Sequence, residues 1–339
     1  MRAPGALARA LCAAQVALAL AAAREVRAER RPTRASVLEV GERIRLGIGD
    51  RLALARNGSK TPTDVVARDL GLRLDFVQIW LTRDWKEEWV PRAQLLELAG
   101  RGVTPVLVHY FFGDDLSRER FERARDAWYT SLWRLARLIR MDAPVLVILE
   151  PEWNQPAPAG ETALPDWAEF ADDLRAAAEL IRRDAPNALV GTCPGDFPGP
   201  PDLERVLGPA SRHLDFLAFQ EMRAVTEPAH EKPGYLDVGR ASLEYAGYLS
   251  RAFRKPVLIG YVAVSSGGGW EDEQARALES LAARRRQLLD AGVFGAIYFQ
   301  LVDDPRHRGY FGSAERHFGL VDGRGRPKPA WKAFRKLGS

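Results

Sequence analysis

Eight short apolar runs alternate with longer segments of helical pattern from residue 43 onward, and this alternation constrains the fold more than any other feature. Such alternation is typical of consecutive βα units, and nearly continuous apolar runs are typical of parallel strands buried on both faces. No glycine-rich phosphate-binding loop follows the first run, which disfavours a doubly wound dinucleotide-binding sheet. The pattern therefore predicts an α/β fold, a single-domain (β/α)8 TIM barrel over residues 43–339. The runs are Arg43–Gly47, Leu74–Leu81, Thr104–Tyr110, Ala143–Glu150, Asn187–Thr192, Leu214–Gln220, Lys255–Tyr261 and Val293–Gln300.

The first 28 residues have the pattern of a secretory signal peptide. Arg2 and Arg9 precede an uncharged apolar run at residues 10–23, and small residues that suit cleavage follow. The run is shorter than the roughly 20 residues that a membrane-spanning helix needs. We therefore expect export to the periplasm or the medium, no stable membrane insertion, and a short charged lead-in at residues 29–42.

Charge and cysteine content exclude several classes of partner. The first 28 residues carry four arginines and one glutamate, so their removal lowers the net charge from +4 to +1. The basic residues do not form a stripe with interleaved aromatics, so no nucleic-acid partner is expected. Cys193 is the one cysteine outside the first 28 residues and is expected to be buried. No cluster of ligating side chains predicts a metal or a cofactor, and the oligomeric state stays open.

The end of the fourth run is the densest polar cluster in the pattern. Glu150, Glu152 and Asn154 alternate along the chain, so in an extended segment they would point to the same side, toward the open end of the barrel. Glycoside hydrolysis needs a protonated carboxyl group, and an apolar neighbour such as Trp153 helps to keep a carboxyl protonated. Glu152 is therefore the candidate catalytic acid, with Glu150, Asn154 and Trp153 as candidate substrate contacts.

Other strand ends supply further candidates for substrate binding. Trp80 near the second strand could stack on a sugar ring, and Tyr110 ends the third strand. His109 either hydrogen-bonds the substrate or orients a carboxylate. Gln300 and Asp303 follow the last strand, although Asp303 could instead pair with Arg306 or Arg308.

Three short stretches resemble one superfamily of glycoside hydrolases, the clan A barrels. Glu152-Trp153-Asn154 is similar to the Glu-x-Asn that closes the fourth strand in mannanase-like families. The stretch from Tyr298 to Pro305, with the later segments 318–322 and 325–331, is similar to the last strand and final helix of that superfamily. The resemblance implies a polysaccharide or oligosaccharide substrate, Glu152 as general acid/base, and substrate contacts at Gln300 and Asp303.

The sequence departs from that superfamily at the seventh strand. Where the resemblance implies a glutamate nucleophile, the stretch that begins at Lys255 has Tyr261. Three hypotheses accommodate this change. Glu221 after the sixth strand could be the second carboxylate; Glu150 and Glu152 could serve a substrate-assisted, chitinase-type reaction with a tyrosine; or the barrel could be an inactive carbohydrate-binding pseudo-glycosidase.

Overall fold

The computed structural model describes residues 33–50, 63–114, 116–167, 169–195, 200–227, 230–307 and 309–339. Eight parallel strands form one closed barrel in sequence order, and β1 pairs with β8 to complete it. The predicted (β/α)8 barrel is confirmed, and each strand overlaps its predicted run. The strands are β1 Arg45–Asp50, β2 Phe76–Thr82, β3 Thr104–Tyr110, β4 Val145–Leu149, β5 Ala188–Thr192, β6 Phe216–Arg223, β7 Val257–Val264 and β8 Val293–Tyr298.

Helices lie between the strands and cover the outside of the barrel. Within the described residues, no helix is long and apolar enough to cross a membrane. Residues 1–28, the predicted signal peptide, lie outside the described part of the chain. The helices are α1 Arg34–Leu38, α2 Thr63–Asp69, α3 Arg92–Gly100, α4 Arg118–Ile139, α5 Phe170–Asp184, α6 Pro200–Ala210, α7 Val238–Phe253, α8 Glu271–Ala283, α9 Arg285–Asp290 and α10 Pro329–Leu337.

The strands bury both of their faces, and the two faces belong to two separate apolar clusters. Residues of β2 to β8 fill the barrel interior, among them Leu146 and Ile148 of β4. The residues between them pack against the helices, as Val147 and Leu149 do. Two-sided burial explains why the β4 run is apolar throughout, because a polar residue on either face would need a buried partner.

The N-terminal end of the barrel is closed by α1. Val37 of this helix is buried in the interior cluster. The guanidinium of Arg45 donates hydrogen bonds of 2.8 Å to the carbonyls of Ser36 and Glu39, which holds the helix against β1. With that end closed, the opposite end of the barrel is the one where strand ends can meet a ligand.

Candidate active site

Glu152 and Tyr261 meet at the C-terminal end of the barrel, here termed the mouth. Glu152 lies three residues beyond the end of β4 and is partly buried. Tyr261 lies on β7, and its hydroxyl donates a 2.6 Å hydrogen bond to Oε1 of Glu152. Since β4 and β7 are three strands apart in the barrel, this bond crosses the mouth. Active sites of (β/α)8 barrels lie at this end.

The turn that carries Glu152 has an unusual backbone. Glu150 and Glu152 have φ of 38° and 58°, in the left-handed region that non-glycine residues rarely adopt. Strain of this kind costs about 1–3 kcal/mol per residue and is concentrated at functional sites. The expectation that Glu150 and Glu152 point to the same side is wrong, because β4 ends at Leu149 and the chain turns there instead of continuing extended.

Glu150 points away from the mouth, into the space between β3, β4 and α4. Its carboxylate accepts hydrogen bonds from the indole of Trp128 at 2.6 Å and from the backbone amide of Phe111 at 3.1 Å. His109 Nδ1 lies 3.1 Å from the same carboxylate, and both side chains are fully buried. This placement argues against direct sugar contacts for Glu150 and His109. It fits the alternative in which the histidine orients a carboxylate.

Trp153 and Asn154 are also fully buried. The Trp153 ring packs against Phe170 of α5, so it has no exposed face for a sugar. The Asn154 side chain donates to the carbonyl of Gly195 at 2.9 Å and accepts from its amide at 2.7 Å. Both residues therefore attach the turn to its neighbours, and the predicted sugar contacts are not supported at these two positions.

Tyr261 faces the barrel interior because β7 contains a bulge. Phe219 pairs with Ile259 and Gln220 pairs with Tyr261, so Gly260 has no partner on β6. Ile259 belongs to the outer cluster and Tyr261 to the inner one, although strict alternation would place them on the same face. A Cβ at Gly260 would lie 3.1 Å from Ala218 Cβ and 3.3 Å from Cys193 Sγ, so glycine suits this tight position.

An aromatic wall adjoins the Glu152 and Tyr261 pair. The Trp80 ring contacts Tyr110, Tyr261 and Phe299 edge to face, with centroids 5.0–5.8 Å apart. Trp80, Tyr110 and Phe299 are all partly exposed, in contrast to Trp153. The structure thus brings the predicted Trp80 and Tyr110 to the same mouth as Glu152.

The mouth favours protonated hydroxyl and thiol groups. Burial raises the pKa of Tyr261 well above its ordinary value, and the neighbouring Glu152 carboxylate raises it further. The same two causes, in the same order, raise the pKa of Tyr110 and of the fully buried Cys193. Tyr261 is therefore a neutral hydroxyl at ordinary pH, which makes it the donor and Glu152 the acceptor. Cys193 is not a thiolate nucleophile.

Glu221 lies on the other face of its strand. Its neighbour Met222 packs against the inner cluster, whereas Phe219, two residues before Glu221, belongs to the outer one. Strand alternation therefore turns the Glu221 side chain away from the barrel axis. Its carboxylate pairs with Arg223 at 2.7 Å and is almost fully buried. This geometry does not favour Glu221 as the carboxylate opposite Glu152.

The two predicted residues after β8 have different surroundings. Asp303 pairs with Lys328 Nζ at 2.7 Å and accepts from the Gly319 amide at 2.9 Å, so it joins the C-terminal segments. Burial raises the pKa of Asp303, and Lys328 opposes that rise. The predicted alternative partner Arg306 instead lies 3.5 Å from Asp304, and residue 308 is outside the described residues. Gln300 has a buried side-chain nitrogen without a hydrogen-bond partner among the described residues.

Sequence reasoning missed two residues near the Glu152 and Tyr261 pair: Phe299, which belongs to the aromatic wall, and Gln78, which lies inside the barrel. Gln78 lies inside the barrel and donates a 2.7 Å hydrogen bond to the carbonyl of Gly260, at the bulge. Its side-chain oxygen accepts from the Trp80 indole at 3.2 Å. A glutamine within an otherwise apolar strand was a usable signal, because a buried amide needs partners.

Metal ligation is not a feature of the described part of the chain. Among those residues, no three histidine, cysteine, aspartate or glutamate side chains come close enough together to hold a metal ion. The mouth offers the carboxylate of Glu152, the hydroxyls of Tyr261 and Tyr110, the Asp114 carboxylate that accepts from Tyr110, and aromatic rings.

Comparison with known proteins gives a uniform result for the fold. No protein-family model matches the chain, and no curated protein matches its sequence. Among solved structures, a GH5_18 enzyme from Streptomyces cattleya in complex with GlcNAc superposes with a TM-score of 0.64. The two share 17% identity over 87% of this chain and 79% of that one. The chain and this enzyme share the (β/α)8 barrel fold.

Two further structures agree. The endo-β-1,4-mannanase from Thermotoga petrophila has a TM-score of 0.61 and 14% identity, over 89% of this chain and 77% of that one. An exo-β-1,4-mannosidase from Opitutaceae bacterium strain TAV5 has a TM-score of 0.63 and 18% identity, over 87% and 59%. The barrel fold that the resemblance implied is confirmed.

Proposed function

We propose that this protein is a glycoside hydrolase that acts on a polysaccharide or oligosaccharide, with Glu152 as its general acid/base. The observation that supports this most is the 2.6 Å bond between Tyr261 and Glu152 at the barrel mouth. It holds the Glu152 carboxylate beside the partly exposed ring of Trp80. The solved structures with the same fold include a mannanase and a mannosidase, which supports a carbohydrate as substrate.

In this proposal Glu152 delivers a proton to the glycosidic oxygen as the bond to the leaving sugar breaks. A water molecule attacks the anomeric carbon, and the Glu152 carboxylate takes the proton that this water loses, so Glu152 returns to its protonated form. The Tyr261 hydroxyl keeps the carboxyl group in one orientation through both steps. The aromatic wall excludes water and offers apolar surface to the sugar rings.

A second candidate function is carbohydrate binding without turnover. It is favoured by Tyr261, which stands where the resemblance implies a nucleophile, and by the orientation of Glu221 away from the barrel axis. The same mouth would then bind a glycan without cleaving it, because no second catalytic group acts together with Glu152.

One experiment separates these functions. The protein from residue 29 onward is incubated with mannan-, glucan- and chitin-derived oligosaccharides, and new reducing ends and binding heats are measured. We expect Glu152→Gln to lower the rate of release by about 10²- to 10⁴-fold while binding persists. Glu97→Gln is the matched control, because Glu97 is exposed on α3 and pairs only loosely with Arg101, at 3.8 Å.

The outcomes are distinct. Binding by the wild-type protein without release supports the binding function. If Glu221→Gln loses as much activity as Glu152→Gln, Glu221 is the second carboxylate after all. If the wild-type protein neither binds nor cleaves any of these glycans, both functions are contradicted.

We also propose that the protein is exported, on the basis of the pattern in residues 1–28. Expression in a Gram-negative host followed by N-terminal sequencing of the periplasmic fraction tests this. A start at or near residue 24 or 29 is expected, whereas intact protein confined to the cytoplasm would contradict export.

A further inference from the structure

We propose that Glu150 is a positioning residue, which holds the strained turn in the conformation that brings Glu152 to the Tyr261 hydroxyl. Its importance for catalysis rests on the proposed function. Its effect on the contact between Tyr261 and Glu152 does not, and can be measured without a substrate.

Glu150 is a buried carboxylate with an unusually complete set of donors. Besides Trp128 and His109, the backbone amides of Phe111 and Phe112 lie 3.1 and 3.4 Å from its Oε2. Burying an ionised carboxylate is costly unless hydrogen bonds replace the lost water. Donors from β3, the loop after it and α4 meet that requirement together, so they hold the carboxylate at one point.

The donors belong to a longer chain of hydrogen bonds. The Trp85 indole donates to Ser131 Oγ at 2.9 Å, and Ser131 Oγ lies 2.9 Å from His109 Nε2. If Ser131 donates to Nε2, the other ring nitrogen carries the proton and donates to Glu150. In this order every member of the chain of hydrogen bonds has a partner, and the chain ends at the Glu150 carboxylate.

The turn is therefore held on both sides of Glu152. Glu150 fixes one end against β3 and α4. The Glu152 amide donates to the Cys193 carbonyl at 2.8 Å, and Asn154 is bound to Gly195 at the other end. Left-handed φ values at two glutamates persist only where the surroundings determine them strongly. Of these anchors Glu150 is the side chain held by donors from β3, the loop after it and α4, so its replacement is the change most expected to release the turn.

The hydroxyl of Tyr261 reports directly on the position of Glu152. The chain has eight tyrosines, so a spectrum of protein labelled with ¹³C at tyrosine Cζ is simple to interpret. Tyr261→Phe assigns the Tyr261 signal, and Glu152→Gln shows how that signal moves when the carboxylate acceptor is lost. We expect Glu150→Gln to move it in the same direction by at least about half as much, since the Gln amide cannot accept from all four donors.

Asp173→Asn is the matched control. Asp173 is another buried carboxylate, held by Arg125 and the Tyr129 hydroxyl of the same helix α4 at 2.7 Å each. Its loss is expected to move the Tyr129 signal and leave that of Tyr261 in place. A change that merely loosens α4 would move the Tyr261 signal in this variant too, and that result would overturn the proposal.

A second variant covers the case in which Glu150→Gln does not fold. Trp128→Phe removes one donor to Glu150 and keeps an aromatic ring, and it is expected to move the Tyr261 signal partway. Once a glycan that the wild-type protein cleaves is known, kinetics give a further test. Glu150→Gln should lower kcat by about 10- to 100-fold and leave KM within about twofold, as misplacement of a catalytic group does. An unchanged Tyr261 signal in the folded variants contradicts the positioning role, whereas absence of cleavage by wild type contradicts only the proposed function.

Discussion

The hydroxyl of Tyr261 lies 2.6 Å from Oε1 of Glu152, so a residue of β7 and a residue after β4 are joined across the barrel mouth. Two irregularities make this contact. The bulge at Gly260 turns Tyr261 inward, and left-handed backbone at Glu150 and Glu152 directs the second glutamate toward it. Glu152, the candidate acid, is thus hydrogen-bonded to Tyr261, the residue at which the sequence departs from the superfamily.

Tyr261→Phe removes the donor and leaves a partly buried carboxylate without it. We expect glycan cleavage to fall by about tenfold or more, and the free energy of unfolding to fall by about 1–3 kcal/mol. Tyr298→Phe is the control, since the Tyr298 hydroxyl is buried on the outer side of β8 and donates to the Val264 carbonyl at 3.1 Å. Urea denaturation and initial rates check both; equal rates in the two variants would count against a role for Tyr261.

Trp80→Phe reduces the aromatic surface that the mouth offers to a sugar. We expect glycan binding to weaken by about tenfold, equivalent to ~1.4 kcal/mol, as measured by calorimetry. The comparison variant is Trp133→Phe, because Trp133 is exposed on α4 with the Arg137 guanidinium 4.7 Å above its ring. The same loss of affinity in both variants would show that Trp80 does not line the binding site.

Gln78→Met leaves the Gly260 carbonyl inside the barrel without its side-chain donor. A buried acceptor without a partner costs about 1–3 kcal/mol, so a lower Tm and weaker glycan binding are expected. Gln274→Met is matched for burial, since Gln274 donates to the Val264 carbonyl at 2.8 Å. It should lower Tm alone. If the Gln78→Met variant has a lower Tm but binds glycan as tightly as the wild-type protein, the bulge at Gly260 is not needed for glycan binding.

Asp322→Asn is expected to have an effect that depends on pH. Backbone amides of Arg326 and Arg324, with the Arg326 guanidinium, lower the pKa of Asp322 from 3.8 to about 2. A lowered pKa in the folded state contributes stability that is present above the ordinary value and is lost as pH falls toward about 2. The wild-type protein should therefore exceed the variant in free energy of unfolding by more at pH 7 than at pH 3. A gap that is constant or grows at pH 3 would contradict this.

Much of the fold was accessible from the sequence because burial on both faces leaves a direct record in it. Strand β4, Val145–Leu149, is apolar at every position and lies within its predicted run, and the runs for β3 and β5 coincide with their strands to within one residue. Parallel strands buried under helices are mostly apolar on both faces, so most of them appear as nearly continuous apolar runs. The same reasoning placed Glu152 at a strand end and hence at the mouth.

Side-chain direction was not accessible in the same way. Alternation predicted Glu150, Glu152 and Asn154 on one side, but a turn follows Leu149 and sends them to three different surroundings. Glu221 was the candidate second carboxylate in one of the three hypotheses, yet its position in the register of β6 turns it away from the axis. A shift of one residue reverses the face of every later side chain, and the sequence pattern does not locate such a shift.

The sequence by itself determined the barrel, the position of Glu152 beyond the fourth strand and the absence of glutamate at position 261. Only the tertiary structure decided which groups meet there. Gly260 takes its bulge from the packing of β6 and β7, and Glu150 takes its conformation from donors that lie 22 to 41 residues away in the chain. Local patterns record burial, whereas contacts between distant segments are set by how the closed barrel brings the strand ends together.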